Sequence, residues 1–301
     1  MKKFTSVALV LVLILSVFAM ASCAKKDGDT TTAADTTVPV EAVAKYRILD
    51  DGLNEEEYAI GFRKGDQTLR DKVQSILAEM KADGTLGEIS TKWFGSDVTT
   101  VKTTPTTLNP DAKDDSLKKV LDAGVLVLGL DASFKPMGFT NENGEIVGFD
   151  IDVAEEVCKR MGVKLEKKGI EWSTKEKPLN TGIIDCIWNG MSVSEERAKA
   201  MNLSEAYMDN KMVFVVPASS DITSPEQLKG KKVALQSGST AQEILEGSEY
   251  AADMEIVALG TNVEALQQLD LGMVDAVFMD LVVAEYETHS LNKSFLAEPG
   301  Y

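Results

Sequence analysis

Three short stretches of this chain carry residue types suited to holding opposite charges side by side. Gly190-Met191-Ser192-Val193-Ser194-Glu195-Glu196-Arg197 ends in an arginine. Its guanidinium is a planar fork that meets a carboxylate with two charge-assisted hydrogen bonds. Taken alone, Arg197 reads better as a surface residue paired with Glu195 or Glu196. Gly238-Ser239-Thr240 opens a helical stretch, and the N–H groups of a helix N-terminus bind anions without side-chain charge. The same composition is ordinary for a turn. Asp280 follows the apolar run Val274-Asp275-Ala276-Val277-Phe278-Met279. A carboxylate shut into a cleft needs a cation; as an N-cap of Leu281–Thr288 it needs none. Asp131, Phe134 and Trp172 add a carboxylate and two aromatic faces, with core packing as the plain reading of the aromatics. Phe149 reads as core, and Trp188 is ambiguous.

The elements that must position these residues alternate between strand and helix. Leu69, Val73, Ile76, Leu77 and Met80 recur at helical spacing after Asp66, an N-cap candidate, and Gly84 fits a C-cap. A second short helix carries Leu86, Ile89, Trp93 and Phe94, both aromatics docking on the core. Val125–Leu130, Ile183–Trp188, Lys232–Leu235 and Ala276–Met279 read as buried strands. Asp152–Met161, Ala241–Glu246 and Val263–Leu271 read as helices, and Met212–Val216 suits a crossover between lobes. This alternation indicates an α/β protein. No internal repeat is evident.

Of 301 residues, about 257 (Lys45–Tyr301) have globular composition, enough for two lobes of roughly 100–150 residues each. The net charge is −17, and no basic stripe is present for nucleic acid. Met1-Lys2-Lys3 followed by apolar Val7–Met20 reads as an export signal, too short to span a bilayer. Met20-Ala21-Ser22-Cys23 resembles a bacterial lipobox, which makes Cys23 the expected lipidation site. Ala24–Val43 and Thr99–Lys113 read as flexible polar linkers. Cys158 and Cys186 are either a disulfide, which export permits, or two buried thiols. Two cysteines and one histidine make a zinc site improbable, and no cofactor is expected.

The order of the segments carries a resemblance. Glu57–Gly95 (EYAIGFRKGDQTLRDKVQSILAEMKADGTLGEISTKWFG) resembles the closing segment of bacterial extracellular amino-acid-binding proteins, the family 3 solute receptors of ABC importers. The opening segment of that family is similar to Leu117–Val157 (LKKVLDAGVLVLGLDASFKPMGFTNENGEIVGFDIDVAEEV), which comes afterwards. Joining Tyr301 to Lys45 restores the family order, so the chain looks circularly permuted. The implied fold is α/β and periplasmic-binding-protein-like (type II), with two lobes and a hinge. Residues 45–52 and 213–301 would form lobe II, and 53–98 and 114–212 lobe I. Residues 1–22 are the signal, 23–44 a stalk, and 99–113 the join between the family's old ends. Tyr301 and Lys45 should then lie close together.

The resemblance also implies roles. Arg197 and the Thr240 N–H take a ligand α-carboxylate. Asp280 and the Gly190 carbonyl take its ammonium, and the Ser192 hydroxyl donates to or accepts from the ligand. Phe134 and Trp172 form an aromatic slot for the side chain, and Asp131 meets a polar or cationic end. All these candidates lie between Asp131 and Asp280. One departure is Lys177-Pro178-Leu179, where the proline is shifted by one from the family's turn, which puts the local backbone and specificity in question. The implied function is a lipid-anchored, monomeric receptor that hands a polar amino acid to an ABC permease. A domain-swapped dimer, a cyclohexadienyl-dehydratase-like enzyme with Asp131 as its acid, and a sensor lipoprotein without transport are the alternatives.

Overall fold

The computed structural model describes residues 44–49 and 52–291. The export segment, Cys23, the stalk over Ala24–Val43 and the Tyr301 end fall outside the described residues.

The chain opens with β1 (Tyr46–Ile48), β2 (Asn54–Tyr58) and β3 (Gly61–Phe62), then α1 (Gln67–Asp83) and α2 (Thr85–Phe94). An irregular stretch leads to α3 (Ser116–Ala123), β4 (Val125–Leu130) and three short strands, β5 (Ser133–Phe134), β6 (Gly138–Thr140) and β7 (Ile146–Val147). There follow α4 (Phe149–Met161), β8 (Lys164–Gly169), α5 (Glu176–Asn180), β9 (Cys186–Ile187), α6 (Glu195–Ala200) and β10 (Asn202–Leu203). The long strand β11 (Met208–Pro217) precedes β12 (Lys232–Gln236), α7 (Thr240–Gly247), β13 (Glu255–Leu259), α8 (Asn262–Asp270), β14 (Ala276–Asp280) and α9 (Leu281–Leu291).

Beside a small three-stranded sheet, β5-β6-β7, these elements build two larger sheets of the same design. The first runs β8-β4-β9-β3-β10 and the second β13-β12-β14-β11-β1. In each, the first three strands are parallel and the fourth is antiparallel to them. The fifth pairs antiparallel with the fourth and so runs with the first three. The two sheets therefore repeat one another, although the sequence shows no repeat. In the first sheet the chain runs β9, α6, β10. In the second, α9 packs on β14, β11 and β1, yet β1 lies at the opposite end of the sequence. β2 also pairs with β11, opposite Met208–Met212.

Periodicity explains the packing. Leu69, Val73, Ile76, Leu77 and Met80 of α1 are buried at helical spacing, each side chain contributing about 1.5–3 kcal/mol. Gly84 ends α1 with φ 87°, a conformation that glycine adopts without a Cβ clash. In β11 the side chains alternate between two cores. Val213 and Val215 pack with the larger cluster, and Met212, Phe214 and Val216 with the second-lobe cluster on the other face. Trp93 and Phe94 dock as expected, Trp93 donating to Asp152 at 2.8 Å and Phe94 packing edge-on against Phe149. Phe149 is fully buried core.

Some expectations change. The strand expected over Ile183–Trp188 shrinks to Cys186–Ile187, and Ile183 is exposed. Asp66 sits at the N-cap of α1 without a side-chain capping bond, because it pairs with Arg63 at 2.7 Å. The 99–113 segment is held along the protein rather than loose: Val101 is buried, Glu205 accepts from the Thr106 and Thr107 N–H groups at 2.5 and 2.8 Å, and Arg70 donates to the Thr107 carbonyl at 2.9 Å. Cys158 and Cys186 are both buried, free thiols. No helix among the described residues is long and apolar enough to cross a membrane, and no metal-holding cluster occurs among them.

Gly148, just before α4, has φ 147° and ψ 174°, a region essentially reserved for glycine. A Cβ there would lie 2.2 Å from the Met137 carbonyl oxygen, which accepts the Asp150 N–H at 2.9 Å. Gly148→Ala should therefore destabilise the protein by on the order of 3 kcal/mol, read as a lowered midpoint in urea. An unchanged midpoint would contradict this account.

Candidate functional site

The candidate residues collect at the carboxyl ends of four parallel strands, two in each sheet. Asp131 follows β4, Gly190 lies just past β9, Gln236 ends β12 and Asp280 ends β14. Open α/β sheets bind ligands at these ends, where side chains and helix N-termini converge. Between the sheets lies a narrow cavity of about 10 Å³. Seven of the eight expected residues line it: Phe134, Trp172, Gly190, Ser192, Arg197, Thr240 and Asp280.

Local structure sets each group. Ser194 caps α6, its hydroxyl accepting the Arg197 N–H at 3.3 Å, and the helix turns the Arg197 side chain inward. The guanidinium donates to the carbonyls of Ser192 at 2.8 Å and Gly238 at 3.4 Å, while its Nε has no partner. The Trp172 ring centroid lies 6.0 Å from it. Arg197 is only 3% exposed, and burial lowers its pKa from the ordinary arginine value. Gly190 must be glycine: its φ is 54°, and a Cβ would lie 2.8 Å from the Phe134 ring. Ser239 caps α7 through its hydroxyl, placing Thr240 as the first helical residue.

Asp280 is held by neutral donors. Tyr58 Oη and Asn210 Nδ2 both donate to its Oδ1, at 2.7 and 2.9 Å. Burial, and then the neighbouring Glu56 charge, push its pKa up to about 7. Glu56 is itself buried and accepts from Ser192 Oγ at 2.9 Å and Asn210 Nδ2 at 3.3 Å. Burial raises its pKa, opposed by those bonds, by Thr240 and by Arg197.

Asp131 does not line the cavity. Its Oδ1 accepts from the Ser133 N–H and hydroxyl at 2.9 and 2.7 Å, and its Oδ2 from Gln236 Nε2 at 2.7 Å. That last bond joins the two lobes. So do Thr240 Oγ1 to Ser192 Oγ at 3.1 Å and Lys175 Nζ to the Gly238 carbonyl at 2.9 Å. Gly238 approaches so closely that a Cβ would lie 2.8 Å from Ser173 Cα. The conformation is closed. Trp188 is buried against Tyr207 and does not line the cavity.

Sequence reasoning missed Asn189, Gln236 and Ser239, which line the cavity, and Lys175. It also missed Glu56 and Tyr58, so the front segment reaches the site after all. The sequence gives little signal for them, because Glu55-Glu56-Glu57 reads as a solvated run; only the alternating exposure of β2 in the structure turns Glu56 and Tyr58 inward. Lys177-Pro178-Leu179, where the proline is shifted, forms part of α5 with Leu179 fully buried.

The chain matches the bacterial extracellular solute-binding proteins, family 3, over residues 14–96 and 126–252. It belongs to that family. Against the L-cystine-binding protein TcyJ of Escherichia coli K12, it is 27% identical over 175 residues, 58% of this chain and 65% of that protein. The family 3 chain thus spans about two thirds of this relative's length. Among solved structures, it resembles an ABC uptake transporter substrate-binding protein from Streptococcus pneumoniae with bound histidine, with a TM-score of 0.57, 32% identity, and coverage of 58% and 74% of the two chains. It also resembles the ancestral amino-acid-binding protein AncCDT-1, a precursor of cyclohexadienyl dehydratase, with a TM-score of 0.55, 34% identity, and coverage of 57% and 76%. The fold is that of the type II periplasmic binding proteins: two α/β lobes joined by crossover strands, here β2 and β11.

The raised pKa of Asp280 makes stability depend on pH. Between 3.8, its ordinary value, and about 7, the folded protein keeps a proton that the unfolded chain releases. Its contribution to stability is therefore present below that window and is lost as pH rises through it. Asp280→Asn should remove this part of the slope, leaving the parallel contributions of Glu56, whose pKa burial also raises, and of Asp150, pushed up to about 7 by burial. Urea titrations from pH 4.5 to 8 measure the difference; identical slopes in the two proteins would refute it.

Proposed function

We propose that this protein is an extracytoplasmic receptor that encloses an amino acid between its lobes and delivers it to an ABC importer permease. One observation carries the reading. Within one closed cavity, a buried guanidinium is spent on carbonyls, and a buried carboxylate is met only by neutral donors. Buried charges of this kind are costly unless paired. A zwitterion supplies both partners at once. Its α-carboxylate meets Arg197 and the Thr240 N–H at the start of α7. Its ammonium meets Asp280, the Ser192 hydroxyl and the Gly190 carbonyl, and its side chain enters between Phe134 and Trp172.

The cross-lobe bonds of Asp131, Lys175 and Thr240 exist only when the lobes meet, so ligand contacts made in that state bias a hinge motion. Asp131, the acid on which an enzymatic reading relies, is committed to Ser133 and Gln236; this favours binding over catalysis. Cys23 as a lipid anchor, an export signal before it and a monomeric receptor complete the proposal.

The same reading takes the chain as circularly permuted. The repeated sheet order supports it: β9-α6-β10 in the first lobe has as its counterpart β14-α9-β1 in the second, interrupted only between α9 and β1. Coverage supports it as well, because a collinear match cannot span two exchanged segments. The stalk then enters at the second lobe.

Two experiments test these claims. In a thermal-shift screen of L-amino acids, one should stabilise the protein by about 2.7 kcal/mol at 100 times its Kd, and Arg197→Ala should abolish the effect. No response to any amino acid would sink the receptor reading. A reordered chain running 114–301 and then 45–98 should fold and bind the same amino acid within about threefold of the original Kd. Failure of the reordered chain to fold, with the original folding normally, would sink the permutation.

A further inference from the structure

We infer that Glu56 is a second ligand-binding carboxylate, forming with Asp280 a two-acid pole for the ligand's ammonium group. The inference rests on the amino-acid reading above and deepens it.

β2 is the strand Asn54-Glu55-Glu56-Glu57-Tyr58, paired antiparallel with β11 so that Glu56 stands opposite Asn210. Side chains alternate across a strand. Glu55 and Glu57 are exposed, whereas Glu56 and Tyr58 are buried. Glu56 therefore points to the same side as Tyr58, whose hydroxyl holds Asp280 at 2.7 Å. Asn210 bridges the two acids, donating to Glu56 Oε2 at 3.3 Å and Asp280 Oδ1 at 2.9 Å. Ser192, a cavity-lining residue, donates to Glu56 at 2.9 Å. Glu56 thus stands at the cavity's edge, between it and an open groove of about 720 Å³ along the crossover strands.

The hydrogen bonds alone do not require a charge. A glutamine oxygen accepts from Ser192 and Asn210 as well as a carboxylate does. Burying an ionised carboxylate costs several kcal/mol unless a cation is near. Arg197 is near enough to lower the Glu56 pKa through its charge, but its hydrogen bonds go to two carbonyls; Lys175 holds the Gly238 carbonyl and lies 3.5 Å from Glu176. Lys211, opposite Glu55 in the register, falls on the other face of the ladder. Two acids sharing one amide bridge beside a closing cavity match a cation that arrives with the ligand.

The test separates charge from scaffold. Glu56→Gln keeps the hydrogen bonds and should fold with an unchanged or higher midpoint. Kd is measured for the amino acid selected by the thermal-shift screen and for its 2-hydroxy acid, which lacks the ammonium. In Glu56→Gln the amino-acid Kd should rise at least tenfold while the hydroxy-acid Kd stays within about twofold, so that discrimination between the two falls at least tenfold. Equal weakening of both ligands would make Glu56 a scaffold residue and overturn the inference. So would no change in either. If wild-type protein binds no amino acid, the receptor reading itself has failed; if it binds and only the discrimination is unaltered, the role of Glu56 alone has failed.

Discussion

The structure depends on one electrostatic constraint: Arg197 and Asp280 are buried around a single cavity, and each makes its hydrogen bonds with neutral groups rather than with the other. Either charge alone would be a liability in a protein interior. The fold tolerates them by dispersing the cost. Arg197 is solvated by the Ser192 and Gly238 carbonyls, and Asp280 by Tyr58 and Asn210. Each of these partners comes from a different part of the chain, and two of them, Tyr58 and Asn210, lie on the crossover strands. The hinge is thus built into the charge support. Under the proposed function, a motion of the lobes changes how well both charges are solvated, and a bound zwitterion would shift the equilibrium through them.

The two sheets explain why such a site forms where it does. Both present the carboxyl ends of parallel strands to the same gap, so each lobe contributes a strand-end loop and a helix start. The first lobe supplies Gly190 to Arg197, from the loop after β9 into α6; the second supplies Gln236 to Thr240, from the end of β12 to the start of α7. Gly238 is the point of closest approach. It must lack a Cβ because Ser173 backbone lies against it, and its carbonyl accepts from both Lys175 and Arg197. One backbone oxygen therefore reports closure to two cations of the opposite lobe.

Much of this was legible in the sequence, for identifiable reasons. Val125–Leu130 was located to the residue because a buried parallel strand is a continuous apolar run. The site residues from Phe134 to Asp280 were legible because their motifs need special chemistry in fixed order. Glu56 was not, since three consecutive glutamates read as a solvated face, and only the burial of Tyr58 on the same side reveals which one turns inward. Ile183 misled because apolar composition gives no information on which end of a run leaves the sheet. The 99–113 segment misled in the other direction: its Thr and Pro content has no hydrophobic period, but its backbone N–H groups find Glu205 and Asp71. Composition describes what a segment can bury, not which fixed acceptors it passes.

The front segment ties these points together. A chain cut between α9 and β1 removes no strand end from the cavity, because β1 is an edge strand, the last in its sheet. Such a cut leaves β1, β2 and β3 together near the front of the chain, where they touch both sheets: β1 and β2 on β11, β3 on β9 and β10. Under the proposed permutation, the tether pulls on this ribbon directly, and the ribbon carries Glu56 and Tyr58. In the unpermuted order the corresponding strands lie in the chain interior, remote from any anchor. The proposed rearrangement would therefore preserve the chemistry of the site while placing its hinge-borne acid support a dozen residues from the expected stalk.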